Sequence, residues 1–176
     1  MEINFCTQCG GKVSLLTQLN DSIPRHVCNS CGFVHYLNPK ITAGCLIYQN
    51  KKVLLCKRGI EPRKNLWTTP GGFMENNETS KQAAKREVCE ETSAKVSIEK
   101  LYMVANLPKA NFIYLLYLAR LKESIFSTTN ESIEIKLFDE KNVPWDNIAF
   151  HTTKLSLQYF FNDAEKNQFK FREIDF

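Results

Sequence analysis

The sequence predicts an α/β fold, a mixed sheet with helices on both sides, preceded by a small cysteine-rich module. Two Cys-x-x-Cys pairs, CTQCG (Cys6 and Cys9) and CNSCG (Cys28 and Cys31), lie close to the N-terminus. After them, apolar runs of strand length alternate with turn residues and are interrupted by one strongly helical segment, SKQAAKREVCEET. A second helical stretch near the end is followed by FKFREIDF, whose alternation suits an edge strand. At 176 residues the chain can hold one domain of ordinary size plus a small module, divided here as residues 1–37 and 38–176.

In the first module each pair is followed by a glycine (Gly10, Gly32), and residues 10–27 separate the pairs. That spacing suits a four-thiolate zinc ribbon, the glycines letting each knuckle turn so that backbone N–H groups approach the thiolates. An iron-loaded or a decayed site is the alternative. Residues 12–19 and 25–27 supply short strands, with residues 21–24 as the turn. So small a module cannot bury enough core alone, and the metal would contribute folding energy. His35 follows closely, but four thiolates complete a tetrahedron, and it reads as a linker residue. His26 and His151 have no partner at ligand spacing.

HYLNPK leads into the strand ITAGCLIYQN, a turn at Asn50-Lys51, and the hairpin partner KVLLCKR. NLWTTPGG carries the chain to the main helix, against which Trp67 is expected to pack. Thr79 with Gln82 forms a capping box, and the residues that follow lack Gly and Pro. Residues 96–105 and 111–122 are further strands, the second apolar on both faces as in a sheet centre. Residues 132–138 form another strand, 144–150 a turn or short helix, and 152–162 a longer helix. Cys45, Cys56 and Cys89 read as small core residues, none with the His neighbour of an activated nucleophile.

On the main helix Glu87, Glu90 and Glu91 occupy one arc roughly 100° wide. Like charges at these spacings destabilise a helix by roughly 0.2–0.5 kcal/mol per pair, which implies a missing cationic partner. A hard divalent cation with oxygen ligands is the natural one. Pro70-Gly71-Gly72 stands ahead of the helix as a turn where backbone can come close to a ligand.

Gly72, Glu78, Arg86, Glu87, Glu90 and Glu91 match the spacing of the Nudix box, a coincidence with chance probability on the order of 10⁻⁵. The sequence resembles the Nudix hydrolases, and CTQCG, CNSCGFVHYLNPK, LLCKRGIEPRKNLW, PGGFMENNE and VPWDNIAF resemble their zinc-ribbon-containing subfamily. Ser93 departs from the pattern where the family has glycine. The resemblance implies an α/β/α sandwich and hydrolysis of a diphosphate linkage in a small-molecule dinucleotide or nucleoside diphosphate derivative. It implies that Glu87, Glu90 and Glu91, with the Gly71 carbonyl, hold catalytic Mg2+ or Mn2+ while Arg86 braces the glutamates and Glu78 has a structural role. A further base is expected downstream, with Glu134 the first candidate and Glu131 the second. Arg58 and Arg63 are candidate phosphate clamps, and Phe73, Phe112 and Tyr114 candidate stacking surfaces. FAD and ADP-ribose rank above NADH, because KLYMVANLPKANF lacks the Ser-Gln-Pro-Trp-Pro-Phe-Pro array of the NADH pyrophosphatases.

Composition bounds the remaining classes. A net charge of +4 is mild, enough to favour anionic substrates but not to argue for nucleic acid. Among residues 1–37 only Lys12 and Arg25 are fixed cations, so a nucleic-acid-binding ribbon is not supported, and the ribbon is expected to serve folding or dimerisation. A homodimer is left open. The longest apolar run, residues 112–119, is too short to span a bilayer. Seven cysteines, an odd number, with no signal peptide lead to the expectation of a reducing cytoplasm. A catalytically silent nucleotide sensor is the rival within the same fold; it predicts eroded metal glutamates, and none is eroded.

Overall fold

Residues 2–19 and 21–176 are described by a computed structural model, in which the chain divides into two units, residues 1–38 and 39–176. The first unit is a three-stranded antiparallel sheet of β1 (Val13–Leu16), β2 (Arg25–Cys28) and β3 (Val34–His35). Asp21 closes the turn between β1 and β2, accepting from Ile23 N–H at 3.1 Å and Arg25 Nε at 2.8 Å.

The second unit runs β4 (Lys40–Gln49), β5 (Lys52–Arg58), β6 (Trp67–Thr68), β7 (Gly71–Phe73), α1 (Ser80–Thr92), β8 (Val96–Leu107), β9 (Phe112–Leu121), β10 (Ser132–Phe138), α2 (His151–Lys166) and β11 (Arg172–Asp175). The sheet order is β10-β5-β4-β9-β8-β11, with β6 paired to β5 and β7 to β4. It is mixed: β9 runs parallel to β4 and antiparallel to β8, and β11 adds parallel to β8 at one edge. The β4–β5 hairpin turns on Asn50 (φ 50°) and Lys51 (φ 62°), the two positive φ values that a two-residue loop needs to follow the strand twist.

Period-2 alternation sorts the sheet into two packed faces. Ala43, Cys45, Ile47, Leu54 and Cys56 meet Ala83, Ala84 and Val88 of α1. Their neighbours Leu46, Val53 and Leu55 meet Leu157, Phe160 and Ala164 of α2 on the other face. One helix therefore covers each side, the expected α/β/α sandwich.

Helix α1 starts at the expected capping box: Gln82 N–H donates to Thr79 Oγ1 at 3.3 Å, and Thr79 N–H donates to Gln82 Oε1 at 2.8 Å. It stops at Ser93, whose φ of 55° is left-handed. A serine there costs roughly 1 kcal/mol against glycine, and the helix end keeps its place, with Ser93 N–H bonded to Cys89 O at 2.8 Å.

Three sequence expectations are corrected. Trp67 lies in the core layer of α2 rather than that of α1, edge-on to Phe138 with ring centroids 5.0 Å apart. Cys89 is exposed, one helical step off the buried face marked by Ala84 and Val88. Helix α2 is longer than residues 152–162, running until Asn167 adopts a left-handed φ of 51°. No helix among the described residues is long and apolar enough to cross a membrane.

The C-terminal strand is tied down by one buried carboxylate. Asp163, only 3% exposed, accepts from Arg172 Nη2 at 2.6 Å and Nη1 at 2.8 Å, Tyr102 O–H at 2.8 Å and Lys170 N–H at 3.1 Å. Burial alone would raise its carboxyl, but Arg172, Tyr102 and the Lys170 N–H outweigh burial and hold it below the ordinary 3.8. Its folded value being depressed, the contribution is fully present above 3.8 and is lost as pH falls through the folded value. Asp163→Asn should leave the Arg172 charge unpaired and lower stability at neutral pH by about 3 kcal/mol. Urea unfolding at pH 7 and near pH 3 checks this: the difference between variant and wild type should narrow at the acid end.

Candidate active site

Arg86 organises the helix face that meets β7. Its Nη1 donates to Glu87 Oε1 at 2.7 Å and Glu90 Oε2 at 2.9 Å. Nη2 donates to the Phe73 carbonyl at 2.9 Å and Glu78 Oε1 at 2.8 Å, and Nε donates to Glu78 Oε2 at 3.2 Å. Glu78 also accepts the Glu75 N–H at 2.7 Å, which fixes the loop ahead of α1. The Arg86 fork holds the Glu78 carboxyl below its usual range.

The glycines of PGG are explained by close approach. Hydrogen-bonded and unbonded pairs alternate along an antiparallel ladder. Met74 N–H donates to Ile41 O and Cys45 N–H to Pro70 O, each at 3.0 Å, so Gly44 and Gly71 between them form an unbonded pair. The Gly71 N–H and C=O are thereby aimed away from β4, and the N–H donates to Glu91 Oε2 at 3.3 Å. A Cβ on Gly71 would lie 2.7 Å from Gly44 Cα, and one on Gly72 would lie 2.5 Å from a Glu87 carboxylate oxygen.

These groups open on a cleft of about 610 Å³. Glu87, Glu90, Glu91, Gly71 and Glu131 line it together with Arg58, Phe73, Phe112 and Tyr114. Burial lifts the Glu87 carboxyl against the pull of Arg86. Burial also pushes Glu91 up to about 7, opposed by the Gly71 N–H and reinforced by the charges of Glu87 and Glu131. The carboxylates thus exceed what Arg86 neutralises, and they offer oxygen ligands. In donor chemistry that set suits a hard divalent cation.

Phe73 and Phe112 face each other across 5.6 Å at 38°, with Lys40 Nζ 5.1 Å from the Phe73 ring centre. The Tyr114 hydroxyl shares a hydrogen bond of 3.3 Å with Thr69 Oγ1. Arg58 is held by Nε donating to the Pro62 carbonyl at 2.7 Å, its guanidinium 5.3 Å from the centre of the Phe150 ring.

Two expected residues lie elsewhere. Arg63 occupies the β5–β6 turn with φ 66° and does not line the cleft. Glu134 also lies outside it, bound by Lys136 and by Lys57 at 3.4 Å, which together hold its carboxyl low. Simple alternation would put Glu134 on the same face as Ser132, which lines the cleft. A bulge between them on β10 breaks that alternation, and Glu131 faces the cleft instead. The threonines Thr42, Thr68, Thr69, Thr152 and Thr153 also line the cleft and were not anticipated; only the TTPGG run placed two of them beside the turn.

In the first unit, the thiols of Cys6, Cys9, Cys28 and Cys31 lie within 4.8 Å of one another, and among the described residues no other group is so assembled for a metal. His35 is not part of it. The Cys6–Cys31 and Cys9–Cys28 sulfur separations are 3.7 and 3.4 Å, close to the edge of about 3.8 Å that a zinc tetrahedron with 2.3 Å bonds requires. The knuckles are alike: Gly10 N–H donates to Cys6 O and Gly32 N–H to Cys28 O, at 2.9 and 3.0 Å, both glycines at φ 72°. The Cys31 and Ser30 N–H groups, against burial, hold the Cys28 thiol down to about 6. Four sulfurs so arranged fit zinc.

A mixed-sheet sandwich whose braced glutamate helix faces a cleft defines a hydrolase of the Nudix type. Residues 38–157 match the family model described as NUDIX domain, and residues 4–37 match the one described as Nudix N-terminal; the chain belongs to the Nudix hydrolase family. It is similar to a NUDIX hydrolase of Nitrosomonas europaea of known structure, with 42% identity, a TM-score of 0.96 and 99% of both chains covered. It is also similar to the ADP-ribose pyrophosphatase of Methanocaldococcus jannaschii, 29% identical over 70% of this chain and 75% of that protein. To the NAD-capped RNA hydrolase NudC of Haemophilus influenzae it is 34% identical over 60% of this chain, but the match spans only 39% of that protein.

Glu91→Gln keeps the shape while removing a carboxylate from the candidate cation site. Turnover should fall at least about 100-fold, some 2.7 kcal/mol of barrier, while stability without Mg2+ holds or improves because buried repulsion is relieved. Steady-state kinetics and thermal melts check both parts. The two donor sets should also separate by chelation. Zinc should be found at about one per chain and survive mild EDTA, with activity then restored by Mg2+ alone; elemental analysis without zinc, or rescue by zinc only, contradicts this division.

Proposed function

We propose that the protein is a metal-dependent pyrophosphohydrolase. It opens the diphosphate linkage of a nucleoside diphosphate joined to a second moiety, with FAD and ADP-ribose preferred, and gives AMP plus a phosphorylated fragment. The observation that carries this reading is the opening of Glu87, Glu90 and Glu91 onto one cleft shared with Arg58 and the Phe73–Phe112 pair. The relative from Methanocaldococcus jannaschii, named an ADP-ribose pyrophosphatase and matched over 75% of its length, supports the substrate class.

Glu87, Glu90, Glu91 and the Gly71 carbonyl would hold the catalytic cation. Bound Mg2+ or Mn2+ supplies charge neutralisation for the diphosphate and an acidified water. The chain's own groups do the rest. Arg86 keeps Glu87 and Glu90 in register with β7, and Arg58 faces the phosphate oxygens. Glu131, in place of Glu134, accepts the proton of the attacking water. The water oxygen bonds to one phosphorus, the bridging oxygen leaves with the other, and the catalytic work is positioning and charge stabilisation. Phe73 and Phe112 offer the planar surface for a ring of the substrate.

NADH ranks below FAD and ADP-ribose. Residues 100–112 hold no proline-rich array, and the similarity to NudC covers a minor part of that protein. The test is the ratio of kcat/KM for FAD, ADP-ribose and NADH under one metal condition, with products resolved by chromatography. That ratio reports differential transition-state binding. FAD or ADP-ribose should lead, and a tenfold preference for NADH over both overturns the ranking. In the same assay Glu131→Gln should lose at least about 100-fold in kcat and Glu134→Gln less than about threefold; the reverse order returns the base to Glu134.

A further inference from the structure

Glu91 is a buried carboxylate with few partners. It is 9% exposed, and among the described residues only two groups donate to it: the Gly71 N–H at 3.3 Å and the Cys56 thiol at 3.7 Å. Both contacts fall on Oε2, so Oε1 receives no donor from the described residues. A glutamate side chain rotates freely about its last torsion, where the preference is broad and roughly two-fold. Something behind the carboxylate must therefore decide which oxygen faces the cleft. Cys56 is placed to do so. On β5 it stands between Thr68 of β6 and Ile135 of β10, and its side chain reaches the cleft floor. Its one proton has a rival acceptor in the Thr68 carbonyl at 3.4 Å, but a bond to a carboxylate is the stronger of the two.

Resting on the reading of this cleft as a cation-dependent hydrolytic site, we propose that Cys56 is a positioning residue. Its thiol, with the Gly71 N–H, anchors Oε2 of Glu91 and presents Oε1 to the cation. Groups that orient a metal ligand from behind are worth 10- to 100-fold in metal affinity or activity. A thiol is a weak donor, which places Cys56 at the lower end. Cys45 is the natural control: it is equally buried in the same core layer, but its sulfur faces the Ala84 carbonyl of α1 at 3.9 Å and does not line the cleft.

The experiment titrates Mn2+ into the full-length protein, cleared of Mg2+ and Mn2+ by mild chelation with the ribbon intact, and follows free Mn2+ by electron paramagnetic resonance. Cys56→Ala should raise the Mn2+ midpoint about tenfold, and Cys56→Ser, which keeps a donor, should bind at least about threefold more tightly than Cys56→Ala. Cys45→Ala should bind as wild type does. An unchanged midpoint in Cys56→Ala, a serine variant no better than the alanine one, or an equal shift in Cys45→Ala overturns the proposal. Because binding is read directly, the outcomes separate: the expected shifts in a wild type that hydrolyses no diphosphate sustain the role of Cys56 and refute the hydrolytic reading. Hydrolysis with binding blind to Cys56 refutes the positioning alone.

Discussion

The guanidinium of Arg86 is the joint on which the cleft is assembled. It ties three glutamates of two consecutive segments to the carbonyl of a strand residue, using five hydrogen bonds from one planar group. A lysine could not do this, because its donors do not spread in a fixed fork. The arrangement also resolves a conflict within α1: Glu87, Glu90 and Glu91 repel one another, and only part of that repulsion is met from inside the chain. The helix is thus held in place by the same residue that leaves its outer charge available for a cation.

Close backbone approach is the second constraint. The Gly44–Gly71 pair lets two strands meet without side chains between them, and this unbonded rung frees the Gly71 amide to reach Glu91. Gly72 leaves the space that the Glu87 carboxylate fills. Behind them the sheet supplies a rigid wall: β9 is hydrogen-bonded on both sides, and its first residues, Phe112 and Tyr114, line the cleft from the ordered edge of that wall.

What the sequence reveals is what short spacings encode. The capping box at Thr79 and Gln82, the strand over residues 132–138 and the sulfur knuckles are legible because each depends on residues a few positions apart. The helix glutamates are legible for the same reason. The rest depends on tertiary placement. Glu134 stands as the first downstream candidate on resemblance alone, and nothing in its sequence neighbourhood announces the bulge beside it; Trp67 passes for a partner of α1 because both faces of the sheet are apolar there. The threonine wall draws on β4, the β6–β7 link and α2, so no local pattern announces it. Cys56 reads as core, and it is core; only the folded structure shows that its sulfur also reaches a glutamate of the cleft.

The edge strand β11 has a consequence for how the chain can be handled during synthesis. It is synthesised after β8, with which it pairs and which otherwise forms the border of the sheet. Until residues 172–175 dock, one side of β8 carries amide and carbonyl groups with no partner, the kind of border that recruits a strand from another molecule. Asp163 holds the covering strand in place: on α2 and buried, it accepts from Tyr102 of β8 and from Arg172 at the start of β11. The polar clamp between α2 and β11 thus keeps a sheet border covered as well as anchoring the strand that covers it.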